Sequence, residues 1–192
     1  SIHHGHGLYD AWDEAVYLLS HVLNLDLSLD RSMLLNVLSK EEVAEVRRLF
    51  RERSSEKMPS AYLTSRAWFC GLPFYVDRRV LVPRSPIGNL IKEKFQPWVA
   101  VPPNSILDLC TGSGCIGISC AYAFPNSNIT ISDISEDALI VANKNVKKHN
   151  CSGQIQIFAS DLFGDLGDER YDLIVSNPPY VDIEDYRSMP EE

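Results

Sequence analysis

The sequence predicts an α/β fold in which a mostly parallel sheet, wound with helices, follows a small helical module. Three observations carry this expectation. From Ser105 onward, short β-prone runs alternate with segments of helical periodicity. A glycine-rich turn, Gly112-Ser113-Gly114-Cys115-Ile116-Gly117, joins the first of those runs to its helix. Before Pro59, apolar residues recur at helical spacing. With 192 residues, 45% of them hydrophobic, the chain can supply a helical module and one α/β core.

Taken in order, Asp10 can cap a first helix in which Ala11, Ala15, Val16, Leu18, Leu19, Val22 and Leu23 share a face. A second helix is expected over Arg31 to Leu38. Ser39 with Glu42 three residues later fits a capping box. Val43, Val46, Leu49 and Phe50 then make the stripe of a third helix ending near Arg53. The charges Arg47, Arg48, Arg51, Glu52 and Arg53 read as a solvated helix face. After Pro59, β-prone runs at Trp68 to Cys70, Phe74 to Val76 and Val80 to Val82 are broken by Gly71 and other turn residues, which predicts a hairpin. Ser85-Pro86 opens a helix with Ile87, Leu90, Ile91 and Phe95 facing inward. A proline-rich joint from Gln96 to Pro103 follows.

Strands are then expected at Ile106 to Leu109, Ile129 to Ser132, Ile155 to Phe158 and Leu173 to Val175, with helices at Cys115 to Ala123 and Glu136 to His149. Ser135 caps the second of these helices; acidic residues fill its first turn and Lys144, Lys147, Lys148 and His149 lie near its end, matching the helix dipole. The organisation expected is a helical module over 1–58, a hairpin and linker helix over 59–103, and a nucleoside-binding domain over 104–192.

The formal charge of −8 weighs against a broad electrostatic grip on duplex nucleic acid, while leaving an encounter with a basic protein open. No apolar run approaches the roughly 20 residues needed to span a bilayer, and Ser1 to Leu8 lacks the layout of a secretory signal; a cytoplasmic location is the default expectation. Cys70, Cys110, Cys115, Cys120 and Cys151 show no Cys-x-x-Cys spacing, so reduced, mostly buried thiols are expected. The His3-His4-Gly5-His6 cluster reads as a terminal arm, and no metal is expected.

A GxGxxG match alone is a weak signal. Here it sits between a strand and a helix, and Asp133 ends the next strand, where a carboxylate can accept from both hydroxyls of a ribose. A dinucleotide and S-adenosylmethionine compete for this geometry. Asp108, just before the turn, favours the second, because a carboxylate suits a cationic amino acid moiety and would repel a pyrophosphate. The other reading of Asp108 is an aspartate that fixes the loop. Asp161 is placed to meet an adenine amino group while Leu162 or Phe163 covers the ring; an ordinary loop or cap is its alternative.

Asn177-Pro178-Pro179-Tyr180 follows the fourth strand at the edge where open parallel sheets bind ligands. The prolines restrict φ and carry no N–H, so the corner is stiff and offers carbonyl oxygens without competing donors. An amide nitrogen is a poor nucleophile, and a catalyst must hold its NH₂ with acceptors and aim it at an electrophile. The Asn177 side-chain oxygen and the Pro178 carbonyl are the natural acceptors, and Tyr180 offers a face for a flat group.

Together these residues resemble the class I S-adenosylmethionine methyltransferases, whose sheet is Rossmann-like, and Asn-Pro-Pro-Tyr narrows the likeness to enzymes acting on amino groups attached to planar systems. The whole chain is similar to the protein-glutamine N5-methyltransferase family. Ala61-Tyr62-Leu63-Thr64, Ala67-Trp68-Phe69-Cys70-Gly71, Phe74-Tyr75-Val76-Asp77 and Arg79 to Gly88 resemble the branch that acts on the third protein of the large ribosomal subunit. The release-factor branch usually carries Pro-Asp-Thr-Glu where this chain has Ser85-Pro86-Ile87-Gly88.

The resemblance implies S-adenosyl-L-methionine contacts from Cys110, Thr111, Gly112, Ser113 and Gly114, at Asp133, near Asp161 and Leu162, and at Asn177. It implies that Asn177, Pro178, Pro179 and Tyr180 carry the chemistry and hold the glutamine, with Phe69 and Arg84 helping to shape the substrate site. It also implies further strands after Glu192, so a sheet truncated after its fourth strand is expected, with an exposed edge and with the activity of the fragment itself left open. Two other functions compete. An adenine N6 nucleic-acid methyltransferase uses a similar tetrapeptide on a flipped base but needs a basic cleft. A non-catalytic cofactor-binding module on the same scaffold is the third reading.

Overall fold

A computed structural model describes residues 11–25 and 37–179. The expected second helix lies outside the described residues except for Val37 and Leu38, which are not helical. Tyr180 and the histidines near the start lie outside them as well.

The amino-terminal part is built from α1 (Ala11–Val22), α2 (Lys40–Ser55) and a four-residue α3 (Ser60–Leu63). The capping box forms as the sequence requires: Glu42 N donates to Ser39 Oγ at 3.1 Å and Ser39 N donates to Glu42 Oε2 at 2.7 Å. Leu18 and Leu49 bury the facing stripes of α1 and α2. A polar cluster fastens α1 to the rest: Glu14 Oε1 accepts from Arg53 Nε at 2.6 Å and from Ser60 Oγ, and Tyr17 Oη donates to the Arg66 carbonyl at 2.9 Å. The α1 helix is thereby tied to the segment that leads into the hairpin.

That hairpin pairs β1 (Ala67–Phe69) with β2 (Leu72–Phe74), turning at Cys70 and Gly71, both at positive φ. The run Val80 to Val82 does not form the strand expected of it. Its backbone is engaged elsewhere: Val80 N donates to the Asp77 carbonyl at 3.1 Å, and Tyr62 Oη donates to the Val80 carbonyl at 2.8 Å. After α4 (Ile87–Lys92) the chain enters the main sheet.

This sheet contains β3 (Ser105–Leu109), β4 (Asn128–Asp133), β5 (Ile155–Ala159) and β6 (Leu173–Ser176), all parallel, in the order β5-β4-β3-β6. The helices α5 (Cys115–Ala123) and α6 (Glu136–Lys148) connect β3 to β4 and β4 to β5. A parallel, Rossmann-like sheet, with four strands among the described residues, is the fold class expected from the sequence. Every residue of α5 from Cys115 to Ala121 is buried, as befits a helix packed against the sheet on one side and α4 on another.

The two faces of the sheet differ. Ile106, Ile129, Ile131, Ile155 and Val175 point to the face that holds α5 and the hairpin aromatics, where the main core sits. On the other face Leu107 and Leu109 cluster with Leu166 and Tyr171 among the described residues, and Phe158 and Ile174 are exposed. A groove of about 410 Å³ runs there past Thr130, Gln156 and Phe158. Among the described residues no helix is long and apolar enough to cross a membrane.

Removing the capping box isolates a local contribution to this architecture. Ser39→Ala is expected to lower unfolding stability by about 1 kcal/mol, read from denaturant midpoints; an unchanged midpoint would mean that α2 contributes nothing to the cooperative unit.

Candidate active site

Parallel register brings four strand ends to one edge. Leu109 pairs with Ser132 on one side and with Ser176 on the other, and Asp133 pairs with Ala159. The residues that follow are therefore neighbours: the glycine turn begins at Cys110, Asp133 closes β4, Asp161 lies just beyond β5, and Asn177 leaves β6. Adjacent strands are spaced by about 4.8 Å, so the double-proline corner and the glycine turn emerge side by side. Ser176 Oγ donates to the Leu109 carbonyl at 3.0 Å and locks the two strand ends together. Asn177 is half-buried, while Pro178 and Pro179 are exposed.

The turn itself is fixed on several sides. Cys110, Gly112 and Gly114 all take positive φ, which costs glycine least. Thr111 N donates to the Ser132 carbonyl at 3.0 Å, and Gly112 N donates to Asp133 Oδ2 at 2.9 Å. Asp133 Oδ1 also accepts from Ser135 N at 3.0 Å, so its carboxylate joins the turn to the start of α6. A Cβ placed on Gly112 would meet nothing within 4 Å, which leaves the outer side of the turn open to a ligand. A Cβ on Gly117 would collide with Ile131 Cγ2. The third glycine is thus required for close helix-to-strand packing.

Asp108 is fully buried, and its Oδ2 accepts from Thr111 Oγ1 at 2.5 Å and from Gly117 N at 2.8 Å. It shares a sheet face with Ile106 and Val175 and points into the core side. Its Oδ2 thus fixes the loop, while its Oδ1 has no hydrogen-bond partner among the described residues. Burial, set against those two hydrogen bonds, raises its pKa from the ordinary 3.8 to about 7, with a smaller push from Asp133. Cys110 stays a neutral thiol: burial pushes it up, and the carboxylates of Asp133, Asp108 and Asp161 add to this.

Other expected site residues fall differently. Phe69 is only 2% exposed and packs in the main core with Phe74, its ring against Gly88. Its ring fills the core beside the hairpin turn, where an aromatic gains most from burial. Arg84 is exposed, as are Asp161, Leu162 and Phe163, with Leu162 at positive φ. Among the described residues no cluster of His, Cys, Asp or Glu could hold a metal ion.

One residue escaped the sequence reading. Asn145 in α6 is completely buried and bonds both the glycine turn and the strand leaving the hairpin. Its signal was present, since an amide at position 145 interrupts the apolar stripe of Ala138, Val141, Ala142 and Val146.

Residues 90–189 match the family described as methyltransferase small domain. Over its whole length the chain is 45% identical to a protein of Francisella tularensis named ribosomal protein uL3 glutamine methyltransferase, of which it covers 62%. Over 98% of its length it is 45% identical to a protein of the same name from Neisseria gonorrhoeae, of which it covers 63%. The chain thus spans less than two thirds of the length of these curated relatives. Among solved structures, a ribosomal protein L11 methylase from Lactobacillus delbrueckii subsp. bulgaricus aligns with 54% of this chain and 51% of its own, at 23% identity and a TM-score of 0.43.

The buried Asp108 makes a pH-dependent prediction. A carboxyl whose folded pKa lies above its unfolded value contributes stability that is complete below the unfolded value and is lost as pH rises through the folded one. Between about pH 4 and pH 7 the parent chain should lose stability relative to Asp108→Asn, by roughly 1.4 kcal/mol per pH unit at most. Melting temperatures across that window test this; a pH-independent difference would show that Asp108 does not titrate there.

Proposed function

The chain belongs to the methyltransferase small domain family, and from that premise we propose that it is the cofactor-binding part of an S-adenosyl-L-methionine-dependent enzyme that methylates a glutamine side-chain amide of ribosomal protein uL3. The observation that carries this reading is the lateral adjacency of the glycine turn and the Asn177-Pro178-Pro179 corner on paired strands. The names of the two relatives support the substrate. A ribosomal substrate would place the reaction in the cytoplasm.

The residues present fit the cofactor. The open side of Gly112 gives the backbone a close approach to a nucleoside, and each Asp133 oxygen keeps acceptor capacity beyond the bond it already makes. Exposed Leu162 and Phe163, beside Asp161, offer apolar cover and an acceptor for an adenine. Asp108 holds Thr111 and Gly117 through Oδ2, and its Oδ1 keeps acceptor capacity. When bound, S-adenosyl-L-methionine supplies an electrophilic methyl group on a sulfonium.

Asn177 and Pro178 supply the rest. A glutamine amide presents two N–H donors and a delocalised lone pair. The Asn177 Oδ1 and the Pro178 carbonyl accept those two donors, which orients the nitrogen and favours a more pyramidal form whose lone pair is available. The prolines keep this corner stiff, so the acceptors need not reorganise as charge develops on the nitrogen. No strong base is needed beforehand, because the nitrogen becomes acidic only once it has formed its new bond. Tyr180 would contribute an aromatic face to the flat amide.

Transfer of a labelled methyl group from S-adenosyl-L-methionine to uL3 by this protein tests the reading. Asn177→Ala should cut the labelling rate on the order of 100-fold or more while leaving the circular dichroism spectrum nearly unchanged. Labelling at the parent rate would remove Asn177 from the mechanism, and labelling of nucleic acid in place of uL3 would replace the substrate.

A further inference from the structure

The α6 helix lies between two functional segments and touches both. On one side its Ala142 approaches the space a Cβ on Gly114 would occupy, at 3.4 Å. On the other it grips the strand leaving the hairpin: Lys144 Nζ sits 3.1 Å from the centroid of the Tyr75 ring, and His149 Nε2 lies 3.0 Å from the Pro73 carbonyl. Asn145 reaches both ways. Its Oδ1 accepts from Tyr75 N at 2.7 Å, and its Nδ2 donates to the Tyr75 carbonyl at 2.9 Å and to the Ser113 carbonyl at 2.8 Å. The side chain is fully buried, so these partners have no water to replace it.

An amide is required by this arrangement. Tyr75 presents a donor and an acceptor from its backbone, and only a group with both can pair with them; the second amide hydrogen is then left to aim at Ser113. A carboxylate would face two carbonyl oxygens. An apolar side chain would leave one donor and two acceptors unsatisfied.

We infer that Asn145 is a positioning residue that couples the glycine turn to the hairpin exit strand, so that occupancy of the turn by cofactor orders the segment carrying residues 72–76. This rests on the cofactor reading given above. It would make the hairpin, which the polar contacts of Tyr17 join to α1, a structural line from the cofactor turn toward the helical module. Asn145 touches neither cofactor nor substrate and acts through Ser113 and Tyr75.

Hydrogen–deuterium exchange of this chain, with and without saturating S-adenosyl-L-homocysteine, tests the coupling. In the parent the ligand should slow exchange roughly tenfold in both 112–115 and 72–76. Asn145→Asp keeps the acceptor for Tyr75 N and loses both donors; the ligand should still protect its 112–115 segment but no longer alter 72–76. Asn145→Ala repeats the measurement if the aspartate variant does not fold. Equal slowing of 72–76 in the variant, or a parent whose 72–76 ignores a ligand that protects 112–115, would overturn the inference. If the ligand protects nothing, the cofactor reading fails instead, and the ligand-free comparison decides the coupling. The variant should then accelerate both segments roughly tenfold with β5 unchanged, whereas acceleration of only one would overturn it.

Discussion

The parallel register of β3 with its two neighbours sets where everything else can be. Because Leu109 is paired with both Ser132 and Ser176, the residues after those positions emerge at one level of the sheet edge. A glycine turn, a carboxylate and a double-proline corner then emerge side by side without any long-range adjustment. A slip by one residue would turn Asp108 toward the opposite face and move Asn177 out of step with Cys110. The site is a consequence of strand pairing, and the Ser176 bond to the Leu109 carbonyl reinforces that pairing where it matters most.

Buried polar groups make this edge rigid. Asp108 anchors the turn from below through Thr111 and Gly117, Asp133 holds it from the side through Gly112, and Asn145 holds it from behind through Ser113. Asp108 and Asn145 make their bonds where the core excludes water, so those bonds are costly to lose, while Asp133 is half-buried. The price is a carboxyl group in an apolar interior at Asp108, with its Oδ1 lacking a hydrogen-bond partner among the described residues. A turn fixed in this way can keep its open side unchanged as a ligand arrives.

Much of the fold was legible because local signals agreed with the global pattern. The bounds of α5 follow from the glycines before it, and α2 begins where its capping box says it should. The four-residue α3 has no periodicity to read, and Val80 to Val82 looked like a strand because β-branched content speaks of burial, not of a partner strand. The site was legible as a set of motifs on strand ends, less so as side-chain directions. Asp108 follows Ile106 by two residues and shares its face, but β3 is apolar on both faces, so alternation could not reveal which way the carboxylate turned. Phe69 belongs to a run that suits a core as well as a binding surface. Asn145 was visible only as an interruption in an apolar stripe.

Methyl transfer needs the glycine turn and Asn177 to face one ligand. An NMR titration of the isotope-labelled chain with S-adenosyl-L-homocysteine tests this most directly. The account predicts that backbone signals of Cys110 to Gly114, the Asp133 amide and the Asn177 side-chain amide shift together along one binding curve. Saturable binding that leaves either the glycine turn or Asn177 unmoved would contradict it.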